Sequence, residues 1–208
     1  MDKQPPEQES RLALNIPNAV TAVRVVLAGI VPWLLCGGEF LLAGILLVIA
    51  ASTDGLDGLL ARRLGQSSLG GALFDLLADQ ILLMPSLVLA IAAGLFSRTD
   101  GLMPFNPYPY AVLVLAGGVA VLGGVGAYFW LRRTRTFEFP TPTLASKANY
   151  WFCLAPLVVA IFYGALDVGP DSATGLNILL AVLMYCAIMS TLLSFYSYLK
   201  KGVSVLHG

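Results

Sequence analysis

The sequence predicts an all-α integral membrane protein, six transmembrane helices in one bundle with both termini cytoplasmic. Three observations lead there. Of the 208 residues, 58% are hydrophobic and 12% charged, against about 25% charged in soluble domains, and the mean hydropathy is +0.81. Apolar segments at 19–36, 41–62, 72–95, 108–131, 148–166 and 175–199 each come near the roughly 20 residues that a bilayer requires. Net charge is zero, yet its distribution is lopsided. With the N-terminus inside, the inner segments hold Lys3, Arg11, Arg62, Arg63, Arg132, Arg133, Arg135, Lys147, Lys200 and Lys201. The outer ones hold Arg98 as their sole base, beside Glu39, Asp100, Asp167 and Asp171, a positive-inside bias. Short connections leave one membrane domain, 14–202, between a polar tail at 1–13 and a short tail at 203–208.

The tail at 1–13 carries Asp2, Glu7 and Glu9, with Pro5 and Pro6 and no apolar run. It matches neither a signal peptide nor an Arg-rich transit peptide, and a bacterial cytoplasmic membrane is the expected location. The first span opens at Asn15-Ile16-Pro17-Asn18, where Pro17 suits a first helical turn. Asn18, Thr21 and Arg24 then recur every third residue. Either Asn18 caps the helix and Arg24 snorkels to the headgroups, or the stripe faces the bundle interior and touches a polar part of a substrate. The second span runs into 54–79, DGLDGLLARRLGQSSLGGALFDLLAD, and leaves the bilayer near Arg62; the third opens at Gly71.

Pro104, Pro107 and Pro109 mark an outer loop, with Tyr108 and Tyr110 as expected interface anchors. Gly117, Gly118, Gly123, Gly124 and Gly126 give the fourth span a surface for tight helix contact, within the bundle or across a homodimer. The loop RRTRTFEFPTPTLASK at 132–147 is basic at its start and stiffened by Pro140 and Pro142. Its charges fit a positive-inside loop touching headgroups. They equally fit an anion site in which Arg132, Arg133, Arg135 or Lys147 binds an acceptor or a lipid phosphate. Cys36, Cys153 and Cys186 are isolated, match no metal or disulfide spacing, and read as core packing. His207 lies in the final tail and is not read as catalytic.

The chemistry concentrates in 54–79. A carboxylate at a membrane-helix centre costs about 2.5–3.5 kcal/mol, so intramembrane aspartates are functional by default. Asp54 and Asp57 are three residues apart and Asp75 and Asp79 four apart, so each pair shares a helix face. Where two such faces meet, each like-charge pair at about 5 Å and an effective dielectric of about 20 costs about 3 kcal/mol. Protonation or bound cations relieve that repulsion, and a divalent metal site is the reading adopted. Gly58 and Ala61, small and beside Asp57, leave room for helix packing or for a phosphate.

The spacing Asp54-x2-Asp57-Gly58-x2-Ala61-Arg62-x8-Gly71-x3-Asp75-x3-Asp79 resembles the signature of the CDP-alcohol phosphatidyltransferase family, with every defining position filled. Asn15-Ile16-Pro17-Asn18-x2-Thr21-x2-Arg24 and Ser146-Lys147-Ala148-Asn149 are similar to segments of its phosphatidylglycerophosphate synthase and mitochondrial-type cardiolipin synthase branch. The resemblance implies Asp54, Asp57 and Asp75 as metal ligands, with Asp79 as the base that also lies close to a second ion. It further implies Mg²⁺ or Mn²⁺, two ions in all. Gly58, Ala61, Arg62 and Gly71 then form the CDP pocket, and Asn18 and Thr21 are weaker contacts to the nucleotide. Relatives making phosphatidylglycerophosphate or cardiolipin usually carry an Arg–acid pair in the fourth span and Lys after the last aspartate. Here 111–127 is free of charge and Gln80 follows Asp79.

The expected reaction is transfer of a phosphatidyl group from CDP-diacylglycerol to an alcohol with release of CMP, in phospholipid biosynthesis. Glycerol 3-phosphate is the first choice of acceptor and phosphatidylglycerol the second. The partners expected are these lipid substrates and the membrane, not nucleic acid. An ion or proton transporter would spread its acids across the bilayer depth, whereas these four sit at one end. An inactive scaffold would lack an aspartate, and none is missing.

Overall fold

The computed structural model describes residues 16–64, 69–97, 107–132, 144–166 and 174–206, with side chains described at 23–53, 76–97, 107–124, 148–166 and 174–197. These residues form six α-helices: α1 Ile16–Cys36, α2 Phe40–Leu64, α3 Leu69–Ala92, α4 Tyr108–Arg132, α5 Leu144–Ala165 and α6 Thr174–Leu206. Each contains one of the six expected apolar segments to within a turn at most ends. The exception is α6, whose 33 residues span about 50 Å at 1.5 Å per residue. It passes the expected span end at 199 and makes residues 203–206 of the expected tail helical.

The helices close into a ring. Around it, α1 packs on α3, α3 on α4, α4 on α6, α6 on α5, α5 on α2, and α2 back on α1, while α3 also reaches α5 across the middle. Consecutive α2 and α3 share little surface, and each packs chiefly on α1. Two turns fix chain direction at one end of the bundle. At Gly38 (φ 78°) the amide of Glu39 donates to Leu34 C=O at 3.0 Å and that of Gly38 to Leu35 C=O at 3.2 Å. The same pairing recurs at Gly94 (φ 72°), with Leu95 donating to Ala90 C=O at 3.0 Å and Gly94 to Ile91 C=O at 2.9 Å. Both are Schellman caps, and the left-handed φ favours glycine at each. The side chains of Leu95 and Phe40 then close over Gly164 of α5, where a methyl group would collide with Leu95.

The core mixes large and small residues: Val31, Leu47, Leu82, Leu157, Ile161 and Met184 beside Ala43, Ala50, Ala90 and Ala160. Small residues let membrane-type helices approach closely. The outside is apolar as well, with Trp33 73%, Leu193 62%, Val112 61% and Tyr196 65% exposed. Such a surface suits lipid and would be an aggregation hazard in water. Counted over described side chains alone, Ala148–Ala165 and Thr174–Ser197 are long and apolar enough to cross a bilayer, and the apolar stretches of the other four helices are shorter.

Two expectations need correction. Tyr108 is exposed at the start of α4, as an interface anchor should be, but Tyr110 is fully buried. Its hydroxyl donates to the Cys153 carbonyl of α5, so Tyr110 ties helices together inside the bundle. Of the cysteines read as core, only Cys153 is buried; Cys36 and Cys186 are exposed on the outer surface, which is apolar enough to take them without cost.

Candidate active site on the first and third helices

One stripe of α1, Arg24, Ala28, Val31 and Leu35, is buried at i, i+4, i+7 and i+11. The stripe of α3, Asp79, Leu83, Ser86 and Ala90, is buried at the same offsets. The two helices pack extensively on one another, and the first member of each stripe is charged. Arg24 is 0% exposed and Asp79 8%. The Arg24 guanidinium donates through Nη1 to Asp79 Oδ1 at 3.4 Å, an ion pair linking residues 55 positions apart. Of the two readings open for the Asn18–Thr21–Arg24 stripe, Arg24 follows the inward one. Its partner was not foreseen. The signal for it was available in the alignment of Arg24 with Ala28 and Val31 on one helix face.

Polar groups continue from Asp79 around the ring. Gln80 lies against Gly118 of α4, and the neighbouring Gly117 faces the Thr191 methyl of α6. Thr191 Oγ1 donates to Asn149 Oδ1 of α5 at 3.0 Å, and Cys153 Sγ stands 3.5 Å from the same hydroxyl. These contacts put Gly117 and Gly118 to use inside the bundle. Gly123, by contrast, has open space around it.

The remaining predicted residues are located only by backbone. Asp54, Asp57, Gly58, Ala61 and Arg62 lie on α2, and Gly71 and Asp75 on α3, with side chains outside the described residues. The same holds for Asn18 and Thr21 on α1, Arg132 at the end of α4 and Lys147 on α5. Arg133, Arg135, His207 and the tail at 1–13 lie outside the described residues altogether. Among the described side chains, no three His, Cys, Asp or Glu cluster to hold a metal, and Asp79 alone of the four aspartates is among them. The donor set fits a hard divalent cation nonetheless. It consists of carboxylates only, and Asp79 brings one of them into the bundle interior beside Arg24.

The profile of the CDP-alcohol phosphatidyltransferase family matches residues 14–193. A CDP-diacylglycerol–glycerol-3-phosphate 3-phosphatidyltransferase of Aquifex aeolicus (strain VF5) is 26% identical over 193 residues, 93% of this chain and 98% of its own. One of the same name from Pseudomonas fluorescens is 41% identical over 81 residues, 38% of this chain and 42% of its own. Cardiolipin synthase (CMP-forming) of Rattus norvegicus is 30% identical over 211 aligned positions, 93% of this chain and 64% of its own.

Proposed function

The chain belongs to the CDP-alcohol phosphatidyltransferase family, and we propose that it transfers the phosphatidyl group of CDP-diacylglycerol to glycerol 3-phosphate, releasing CMP. The observation that carries this reading is Asp79, the last aspartate of the motif, buried in the bundle and ion-paired with a buried arginine. A carboxylate at this position can take the proton of the acceptor hydroxyl as that oxygen attacks the lipid phosphorus and the bond to CMP breaks.

Asp54, Asp57 and Asp75 would hold Mg²⁺ or Mn²⁺, with Asp79 near a second ion. When bound, such ions offset charge on the pyrophosphate and on the departing CMP. Gly58, Ala61 and Gly71 leave space for the nucleotide, Arg62 pairs with phosphate, and Asn18 and Thr21 contribute polar contacts from α1. Arg132, Arg133, Arg135 and Lys147 are the cations available to an anionic acceptor. The reading places six spans in a bacterial cytoplasmic membrane, with both termini and the site on the cytoplasmic side. A homodimer is compatible with it.

A second reading rests on the rat relative, whose resemblance covers 93% of this chain: phosphatidylglycerol as acceptor, giving cardiolipin. One assay separates the two. Purified protein in detergent receives CDP-diacylglycerol and Mg²⁺ with glycerol 3-phosphate, phosphatidylglycerol, serine or inositol phosphate, one at a time, and CMP release is followed. Release with glycerol 3-phosphate, lost in Asp79→Asn, is the expected result. Release with phosphatidylglycerol alone would transfer the proposal to the second reading, and folded protein silent with all four would overturn both.

A further inference from the structure

Arg24 has no assigned part in the reaction, yet no other charged side chain among the described residues is so completely buried. Snorkelling does not account for it, since a snorkelling arginine keeps its head in the aqueous layer. Nor does stability, because a buried ion pair is often no better than an apolar pair of the same volume. The geometry is more specific. Arg24 is sealed at 0% side-chain exposure while Asp79 retains 11%, and the two meet through one carboxylate oxygen, Oδ1. The arginine is thus the more deeply sealed partner, and the aspartate keeps what little access the pair has.

We propose that Arg24 is a positioning residue, which holds the Asp79 carboxylate from α1 so that it meets the acceptor hydroxyl in one orientation. This rests on the reading of Asp79 as proton acceptor. Asp79 sits on α3, whose first turns adjoin a helix, α2, with which α3 shares little surface. Of the helices that contact α3, α1 packs against it most extensively. The planar guanidinium supplies direction as well as charge, which a lysine ammonium does not.

The test compares wild type, Arg24→Lys, Arg24→Gln, Asp79→Asn and the Arg24→Gln/Asp79→Asn double variant, all in detergent and assayed below each melting temperature. Arg24→Lys is expected to lower kcat by about 10–100-fold, the usual effect of removing the partner that orients a reacting group, while KM for CDP-diacylglycerol moves by less than about twofold. Arg24→Gln lowers kcat further, so that lysine restores part of what glutamine loses. Arg24→Gln and Asp79→Asn each depress Tm, and the double variant is depressed by less than their sum. Wild-type kcat in Arg24→Lys would overturn the proposal, as would a loss carried by KM alone. Strict additivity in Tm would overturn it even if Arg24→Lys does not fold. Full activity in Asp79→Asn would instead remove the reading beneath it, and the Tm cycle would still report whether the pair exists.

Discussion

Gly118 of α4 and Gln80 of α3 are in such close register that a methyl group added at Gly118 would lie 2.7 Å from Gln80 Oε1 and 2.6 Å from Met84 Sδ. The uncharged, glycine-bearing fourth helix thus brings its backbone up to the residue that follows Asp79.

Gly118→Ala must displace two flexible side-chain ends together, at the low end of overpacking costs, about 1 kcal/mol or about 2–4 °C in Tm. Moving Gln80 beside Asp79 is expected to lower kcat about tenfold. Gly123→Ala, in open space, is expected to match wild type in both thermal unfolding and CMP release. Equal behaviour of the two variants would show that the contact has no bearing on the site.

Thr191 joins α6 to Asn149 of α5, and Tyr110 joins α4 to the Cys153 carbonyl. Interhelical hydrogen bonds in membrane proteins are worth about 0.6 kcal/mol on average. Thr191→Val and Tyr110→Phe should therefore each lower Tm in detergent by about 1–3 °C. A Tm unchanged in Tyr110→Phe would mean that packing alone holds α4 there.

Cys36, exposed, ends α1 beside the Gly37–Gly38 turn, whereas Cys186 lies within α6 and Cys153 in the core. If both termini are cytoplasmic, as proposed, a membrane-impermeant maleimide added to intact cells should label Cys36 and spare the other two. Labelling of Cys36 only in inverted vesicles would reverse the topology.

Removing divalent cations with a chelator should abolish CMP release, and Mg²⁺ or Mn²⁺ should restore it. Asp54→Asn, Asp57→Asn and Asp75→Asn should each reduce kcat by about a thousandfold, the scale of several kcal/mol of charge stabilisation. Full activity in the chelator would exclude a metal role for these carboxylates.

Six helices and the acidic motif were legible because length, hydropathy and residue spacing report them directly. Which way each side chain faces was not. A helix bordered by lipid on one side and protein on the other is apolar all round, so the period that marks a buried face in a soluble protein is weak. Tyr108 and Tyr110, two residues apart, looked alike as anchors, yet one is exposed and the other buried. Cys36 and Cys186 failed as core residues for the same reason. Arg24 was open to both snorkelling and burial, and only the packing of α1 on α3 separates them. The ring order was likewise hidden, since short connections suggest that successive helices are neighbours while α2 and α3 scarcely touch.

The pairing of Arg24 with Asp79 also sets a schedule for biogenesis. The arginine leaves the ribosome 55 residues ahead of its partner, roughly 3–11 s at ordinary synthesis rates. During that interval the first helix carries a guanidinium without Asp79 to pair with, and in the proposed topology such a side chain can reach toward the cytoplasmic headgroups. In the proposed topology, a chain truncated before Asp79 lacks this partner for its first span, and such a chain should be more exposed to quality-control proteolysis than the full one.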